Sequence, residues 1–240
     1  MASIKEILDS TGNRQHPLPE QKWKYYQEWH HTVFFHWELP VYFLEQYIPK
    51  GLKLDTYINM AWVSLASFQV KNMRHRNLPS LPYLSNFEEI NIRTYVTRNG
   101  IPGIYLFSIE TNKLIEVLLT RLFIGLPYEH ATIKRYHNQL YSENKKQNHL
   151  LDIKIVKSKM LKNKTELDLW LTERHSLYEI CADKICRFDI HHQEWKLRNL
   201  EVKIHDIRYE AGKYTINIYP DKIHYAVKTQ VLLWAKRESS

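Results

Sequence analysis

The stretch that most constrains this chain is Phe87–Ala131, and within it the eleven residues from Phe87 to Thr97. Successive side chains of a strand point to opposite faces. Phe87, Glu89, Asn91, Arg93 and Tyr95 therefore share one face, and Glu88, Ile90, Ile92, Thr94 and Val96 the other. Asn99-Gly100 follows, a dipeptide suited to positive φ at both centres of a tight hairpin turn. The run Gly103–Ile109 is apolar on both faces and reads as the second strand, with Pro102 expected to delay its start. A strand covered on both sides implies a covered partner. Glu89, Asn91 and Arg93 are then expected to line something enclosed and polar.

After this hairpin, Thr111 or Asn112 offers a cap. Leu114, Ile115, Val117, Leu118, Leu119, Leu122 and Phe123 would cover most of a helix, stopped by Gly125 and Pro127. A short buried strand over part of this run fits the pattern equally. Arg121 is the basic exception in that run.

The rest of the chain is mostly strand-like. Ile4, Ile7 and Leu8 mark a short amphipathic helix ending near Gly12. Trp23–Trp37 is dense in aromatics and reads as strand, and Pro40 opens a helix carrying Val41, Phe43 and Leu44. Thr56–Val70 is a strand pair or one bent strand with Asn59 near the turn, and Asn72–Ser85 is a loop. Leu151–Lys157, Ile185–Ile190, Leu200–Tyr209, Tyr214–Tyr219 and Ile223–Ala235 are further strands, and Leu167–Ile180 is helix or strand plus helix. The chain shows no repeat and no break in composition. A single α+β, β-rich domain over residues 1–240 is expected, its sheet antiparallel and closed into a barrel with a few peripheral helices.

Composition enters as a filter. The 240 residues suffice for a real core. A net charge of +8 admits nucleic acid or an acidic ligand, yet Lys and Arg are scattered among acids, so no nucleic-acid partner is expected. Six glycines leave no phosphate-cradling loop. Cys181 and Cys186 have no second pair and make a poor zinc signal; two thiols in a chain this long suit a reducing compartment. The N-terminus has no apolar core for export, and no run reaches the ~20 apolar residues of a membrane span. A cytoplasmic protein with no membrane partner is expected, and a homo-oligomer stays open.

Six motifs in order, FFHWELP, AWVSLASFQV, FEEINIRTYV with NGIPGIYLFSI, RLFIGLPYEHA, LTERHSLYE and IHHQEWKL, resemble the YqjF-like family of conserved bacterial proteins of unknown function. The resemblance runs from about His36 to Trp195. That family is similar in fold to acetoacetate decarboxylase, which implies a closed β-barrel around a pocket. Arg121-x-x-x-Gly125-x-Pro127 resembles the decarboxylase run Arg-x-x-x-Gly-x-Pro-Lys-Lys, and Glu89 would match a pocket glutamate. Where the decarboxylase carries its Schiff-base lysine and a lysine neighbour, this chain has Tyr128-Glu129. Without an amine there is no imine and no electron sink of that kind. The resemblance thus implies the fold and the pocket but not the decarboxylation.

These readings select a site. Glu89 and Tyr128 are the candidate acid/base and hydroxyl donor, and His36, Asn91, Arg93, Arg121, Arg174 and Trp195 the candidate pocket residues. An ion-pair network inside a barrel accounts for the same charges structurally. Trp37, Trp62, Phe87 and Trp195 are candidate aromatic walls. His30, His31, His36, His191 and His192, with Glu38 or Glu194, invite a metal reading, but their spacing has no signature and no metal or other cofactor is expected. Glu173 reads as part of a solvated helix face. The expected ligand is a small, partly apolar organic acid or carbonyl compound; the alternative is a lyase- or hydratase-like enzyme using Glu89.

Overall fold

A computed structural model describes residues 2–81, 85–113, 126 and 128–239. The expected helix between Thr111 and Pro127 lies almost wholly outside the described residues, and Arg121 with it.

The described chain is a β-rich α+β fold. Its strands are β1 (Tyr25–Leu39), β2 (Lys53–Leu54), β3 (Ala61–His75), β4 (Phe87–Arg98), β5 (Ile101–Thr111), β6 (Glu129–His130), β7 (Thr132–Tyr136) and β8 (Gln139–Asn144). They continue with β9 (His149–Met160), β10 (Ser176–Cys181), β11 (Lys184–His192), β12 (Arg198–Ala211), β13 (Tyr214–Ile216), β14 (Lys222–Leu233) and β15 (Arg237–Glu238). Three short α-helices accompany them: α1 (Ile4–Asp9), α2 (Val41–Leu44) and α3 (Glu166–Thr172). Neighbouring strands run in the order β15-β11-β10-β5-β4-β3-β1-β14-β12-β9-β8-β7, and β11 also pairs with β14. None of the described helices is long and apolar enough to cross a membrane.

The β4–β5 hairpin turns on Asn99 and Gly100 alone, with φ of 50° and 75° and Arg98 opposite Ile101. Pro102 does not delay the second strand; it lies within β5, opposite Thr97. The expected antiparallel arrangement holds for most pairs, but β10 runs parallel to β5, and so does β6. Leu167–Ile180 divides into helix and then strand. Thr165 and Asp168 close a capping box that starts α3, and β10 follows. At the N-terminus, Ser3 and Glu6 cap α1 in the same way. Its buried Ile7 packs with Trp23, Tyr26, Leu232 and Trp234, which fixes the arm against the sheet.

Strands β1, β3 and β4 are buried on both faces because a separate apolar cluster covers each. Val33, Phe35, Val63, Leu65, Ile90 and Ile92 meet Leu140, Leu151, Ile153 and Val202 from the later strands. The opposite face carries Phe34, Ala66, Phe68, Phe87 and Tyr95, packed with Ile109, Leu177, Phe188 and Ile190. The polar residues of β4 interrupt this second cluster.

Candidate functional site

Period-two alternation places Glu89, Asn91 and Arg93 opposite Phe68, Ala66 and Ser64 of β3, all facing the second apolar cluster. Each is at least nine-tenths buried. Burying such groups is costly unless they are paired. Tyr128 supplies part of the pairing. Strand β6 runs beside the end of β5, where Glu110 meets Glu129 and Thr111 meets Glu89, so the residue before β6 arrives next to Glu89. Tyr128 Oη donates to Glu89 Oε2 at 2.6 Å, and Asn91 Nδ2 donates to Oε1 at 3.1 Å.

These four side chains border one cavity of about 80 Å³. A single water centre needs only ~10–15 Å³ of such space, so there is room for several waters or a small organic molecule. The remaining described wall is mainly apolar, with Trp29, Phe68, Leu106, Leu177 and Phe188 prominent in it. No lysine is among the described lining residues.

Burial pushes the Glu89 carboxyl up from 4.5 to about 7, against the opposing hydrogen bonds from Tyr128 and Asn91 and the charge of Arg93. Burial, reinforced by the neighbouring carboxylate, drives the Tyr128 hydroxyl well above its ordinary range. Near neutral pH this arrangement holds one exchangeable proton on Glu89 and a phenol that stays protonated. The Arg93 guanidinium lies 5.1 Å from the Phe34 ring centroid, a cation–π contact. Two buried polar atoms among these groups lack a partner: Nε of Arg93 and Oδ1 of Asn91. Unsatisfied buried polar groups of this kind are uncommon in folded proteins.

The structure sets three expected pocket residues apart from this cavity. His36 is fully buried but bonds to Ser64 Oγ at 2.6 Å and to His224 Nδ1 at 3.1 Å. Arg174 is drawn off by Asp55, 2.6 Å away, and lies against the rings of Trp170 and Tyr95. Trp195 stacks behind Trp29, with centroids 6.1 Å apart, and meets Phe34 edge-on. Of the expected aromatic walls, Phe87 and Trp62 join the cluster on the cavity side, whereas Trp37 belongs to the other. Sequence reasoning missed Gln27 and Trp29, which line the cavity. Their alternation with Tyr25 along β1 was the available signal. Glu173 is not on a solvated helix face. It lies just past the last residue of α3, where the backbone leaves the helix, and is 3% exposed. With His175 and His192 it forms a buried cluster away from the cavity.

Solved structures define the class. The fold is similar to the enduracididine biosynthesis enzyme MppR complexed with pyruvate, with a TM-score of 0.61 and 10% identity over 94% of this chain and 93% of that one. It is equally similar to an acetoacetate decarboxylase-like enzyme from Sphingomonas wittichii RW1, with a TM-score of 0.60 and 10% identity over 95% and 98% of the two chains. The fold is thus acetoacetate decarboxylase-like. In sequence, residues 26–230 match the family DUF2071, "Uncharacterized conserved protein (COG2071)", and the chain belongs to that family. It is 36% identical over 231 residues to "Uncharacterized protein YqjF" of Bacillus subtilis (strain 168), covering 93% of this chain and 96% of that protein.

Proposed function

We propose that the protein binds a small, partly apolar organic acid or carbonyl compound in this cavity, without forming a Schiff base. The observation that carries the proposal is the set of polar groups on an otherwise apolar wall: Glu89 held by Tyr128 and Asn91, beside Arg93 with its Nε unpartnered. A ligand carboxylate would accept from Arg93, and a ligand donor would satisfy Asn91 Oδ1. The sheet supports enclosure. Because β14 pairs with both β1 and β11, the strands β11, β10, β5, β4, β3, β1 and β14 form a ring of pairings, and each contributes a side chain to the cavity. We read this ring as a closed barrel. The MppR structure that shares the fold is a complex with pyruvate, which suggests 2-oxo acids as the first compounds to try.

A thermal-shift panel of short 2-oxo acids and aliphatic or aromatic monocarboxylates tests this reading. A ligand at 100 times its Kd is expected to raise Tm by about 5–10 °C. Arg93→Gln should remove most of that shift while leaving a folded protein. A panel in which no acid stabilises the wild type would overturn the proposal. The motif resemblance puts Tyr128 in the place of the imine-forming lysine, and no described lining residue is a lysine, so borohydride treatment with a carbonyl compound is expected to leave the protein mass unchanged.

A second reading, lyase- or hydratase-like proton transfer, is favoured by one feature: a buried carboxyl brought to about 7 and directly bonded to a phenol. Glu89 would take a proton from the carbon next to a carbonyl, with Tyr128 donating to the oxygen. Proton NMR in D2O tests it. The wild type should exchange that C–H of a bound 2-oxo acid at least 100-fold faster than Glu89→Gln. Equal rates in the two proteins would remove Glu89 as the base.

A further inference from the structure

The buried cluster behind Trp195 is held together in an unusual way. Asn13, in the arm after α1, places its amide Nδ2 2.7 Å from Glu173 Oε2, 3.3 Å from His175 Nε2 and 3.3 Å from the His192 carbonyl oxygen. Three acceptors thus surround a nitrogen that carries two protons. Asn13 Oδ1 is buried and has no partner. The His175 ring is oriented for ligation. Its Nδ1 donates to the Ile190 carbonyl at 3.3 Å, which leaves the Nε2 lone pair facing the cluster. Histidines that bind metal are held this way by the proton on their other nitrogen. His192 Nδ1 lies 4.0 Å from Glu173 Oε2, and His175 Nε2 lies 3.9 Å from it.

We propose that Glu173, His175, His192 and Asn13 bind a first-row divalent transition ion, and that the Asn13 amide nitrogen occupies the ion's place when none is bound. The donor set is two imidazoles, one carboxylate and one amide oxygen, which suits zinc and its neighbours. Turning the Asn13 amide over brings its orphaned Oδ1 toward the centre. That orientation opposes the Glu173 carboxylate when the site is empty and becomes favourable once a cation lies between them. Ligands 2.0–2.1 Å from a tetrahedral ion stand about 3.4 Å apart, so each imidazole nitrogen closes on Glu173 Oε2 by about 0.5 Å. His192 exchanges its present 2.8 Å bond to the Gln193 carbonyl for the ion. Glu173 Oε1 stays engaged with the Trp195 backbone N–H at 3.0 Å, and Lys164 lies 3.9 Å from that same oxygen. Four protein ligands in a buried site leave no open position, which is the pattern of a structural ion. It would fasten the N-terminal arm to β10 and β11.

The full chain without a histidine tag is stripped with chelator, and zinc, cobalt(II) and manganese(II) are added singly. One equivalent of zinc should bind and raise Tm by about 5 °C or more. Cobalt(II) should give the intense visible bands of a four-coordinate site. Glu173→Gln should lose at least ten-fold in affinity. Asn13→Asp separates an ion site from a plain hydrogen-bonded cluster: facing carboxylates should lower Tm without metal, and one equivalent of zinc should restore it. If the wild type binds no stoichiometric ion, the proposal is overturned. Binding that survives Glu173→Gln unchanged, or a folded Asn13→Asp that zinc does not stabilise, also overturns it. The wild-type titration decides even if a variant fails to fold.

Discussion

Asp168→Asn is expected to cost about 3–5 kcal/mol of stability at neutral pH, the usual loss when one partner of a buried ion pair is removed. That corresponds to a fall in Tm of about 10 °C or more. Asp168 does two jobs at once. Its Oδ2 accepts from the Thr165 backbone N–H at 2.7 Å and from Thr165 Oγ1 at 2.8 Å, which caps α3. Its Oδ1 lies 2.7 Å from His224 Nε2 and 2.6 Å from Lys222 Nζ. From His224 a buried chain runs on through His36 and Ser64 to Tyr95, whose hydroxyl donates to the Leu171 carbonyl at 3.0 Å.

The carboxylate ends this chain as an acceptor. Five hydrogen bonds link Asp168, His224, His36, Ser64, Tyr95 and the Leu171 carbonyl. Each requires one proton. Tyr95, Ser64 and two neutral imidazoles supply one each, so the chain is one short. Burial, with His224, Arg93 and Lys222 nearby, pushes His36 well toward its neutral form, so the contact between the two imidazoles is the one left without a proton, and the Asp168 carboxylate accepts from His224 Nε2 at the chain's end. Hydrogen bonds from His224, Lys222 and Thr165 together hold the Asp168 carboxyl far below its ordinary 3.8, against the effect of burial. A carboxyl held low in the folded state contributes stability above its unfolded value and loses it as pH falls. The wild type should outperform Asp168→Asn at every pH above about 4, and the gap should narrow only below that. Urea titrations at pH 4, 5.5 and 7 measure it. A gap under about 1 kcal/mol at pH 7 would refute this role for Asp168.

Much of the site follows from local pattern, and the rest from long-range registration. Glu89, Asn91 and Arg93 share a face because a strand has period two. That the face is interior follows from the apolar coverage of Gly103–Ile109 on both sides. Asn99-Gly100 fixes the register of that hairpin by its backbone geometry. The partners of His36 are different in kind. Ser64 and His224 come from strands β3 and β14, and the pairing of Phe34 with His224 belongs to strands nearly 200 residues apart. No local period encodes such a match. Arg174 and Glu173 were misplaced because the end of α3 was not fixed by sequence. The helix stops at Thr172, Glu173 turns inward and Arg174 goes to Asp55. The bulge at His31, with φ of 51°, likewise breaks the alternation of faces along β1, and no local pattern announces it. Asn13 carried no signal, since one polar residue in an arm gives no indication of what it reaches.

Glu89→Gln is expected to stabilise the ligand-free protein at pH 8 by about 3 kcal/mol, the free energy of moving a carboxyl from 4.5 to about 7. Below pH 4.5 the folded and unfolded chains both hold the Glu89 proton. Between 4.5 and about 7 the folded chain keeps a proton that the unfolded chain has released, so wild-type stability falls as pH rises. Above about 7 the folded chain carries an ionised carboxyl inside an apolar wall, and that loss is complete. Glutamine is neutral throughout, and the site can accommodate it. The Gln Oε1 accepts from Tyr128, while Asn91 turns over and presents its unpartnered Oδ1 to the new amide N–H. The two proteins should melt within about 2 °C of each other at pH 4.5, and the variant about 5–10 °C higher at pH 8. A difference that stays constant between those values would mean that Glu89 does not titrate there. On the proton-transfer reading proposed above, this cost to stability is the kind that proteins commonly accept at a working site. The same substitution that stabilises the empty cavity should therefore abolish proton exchange on a bound 2-oxo acid.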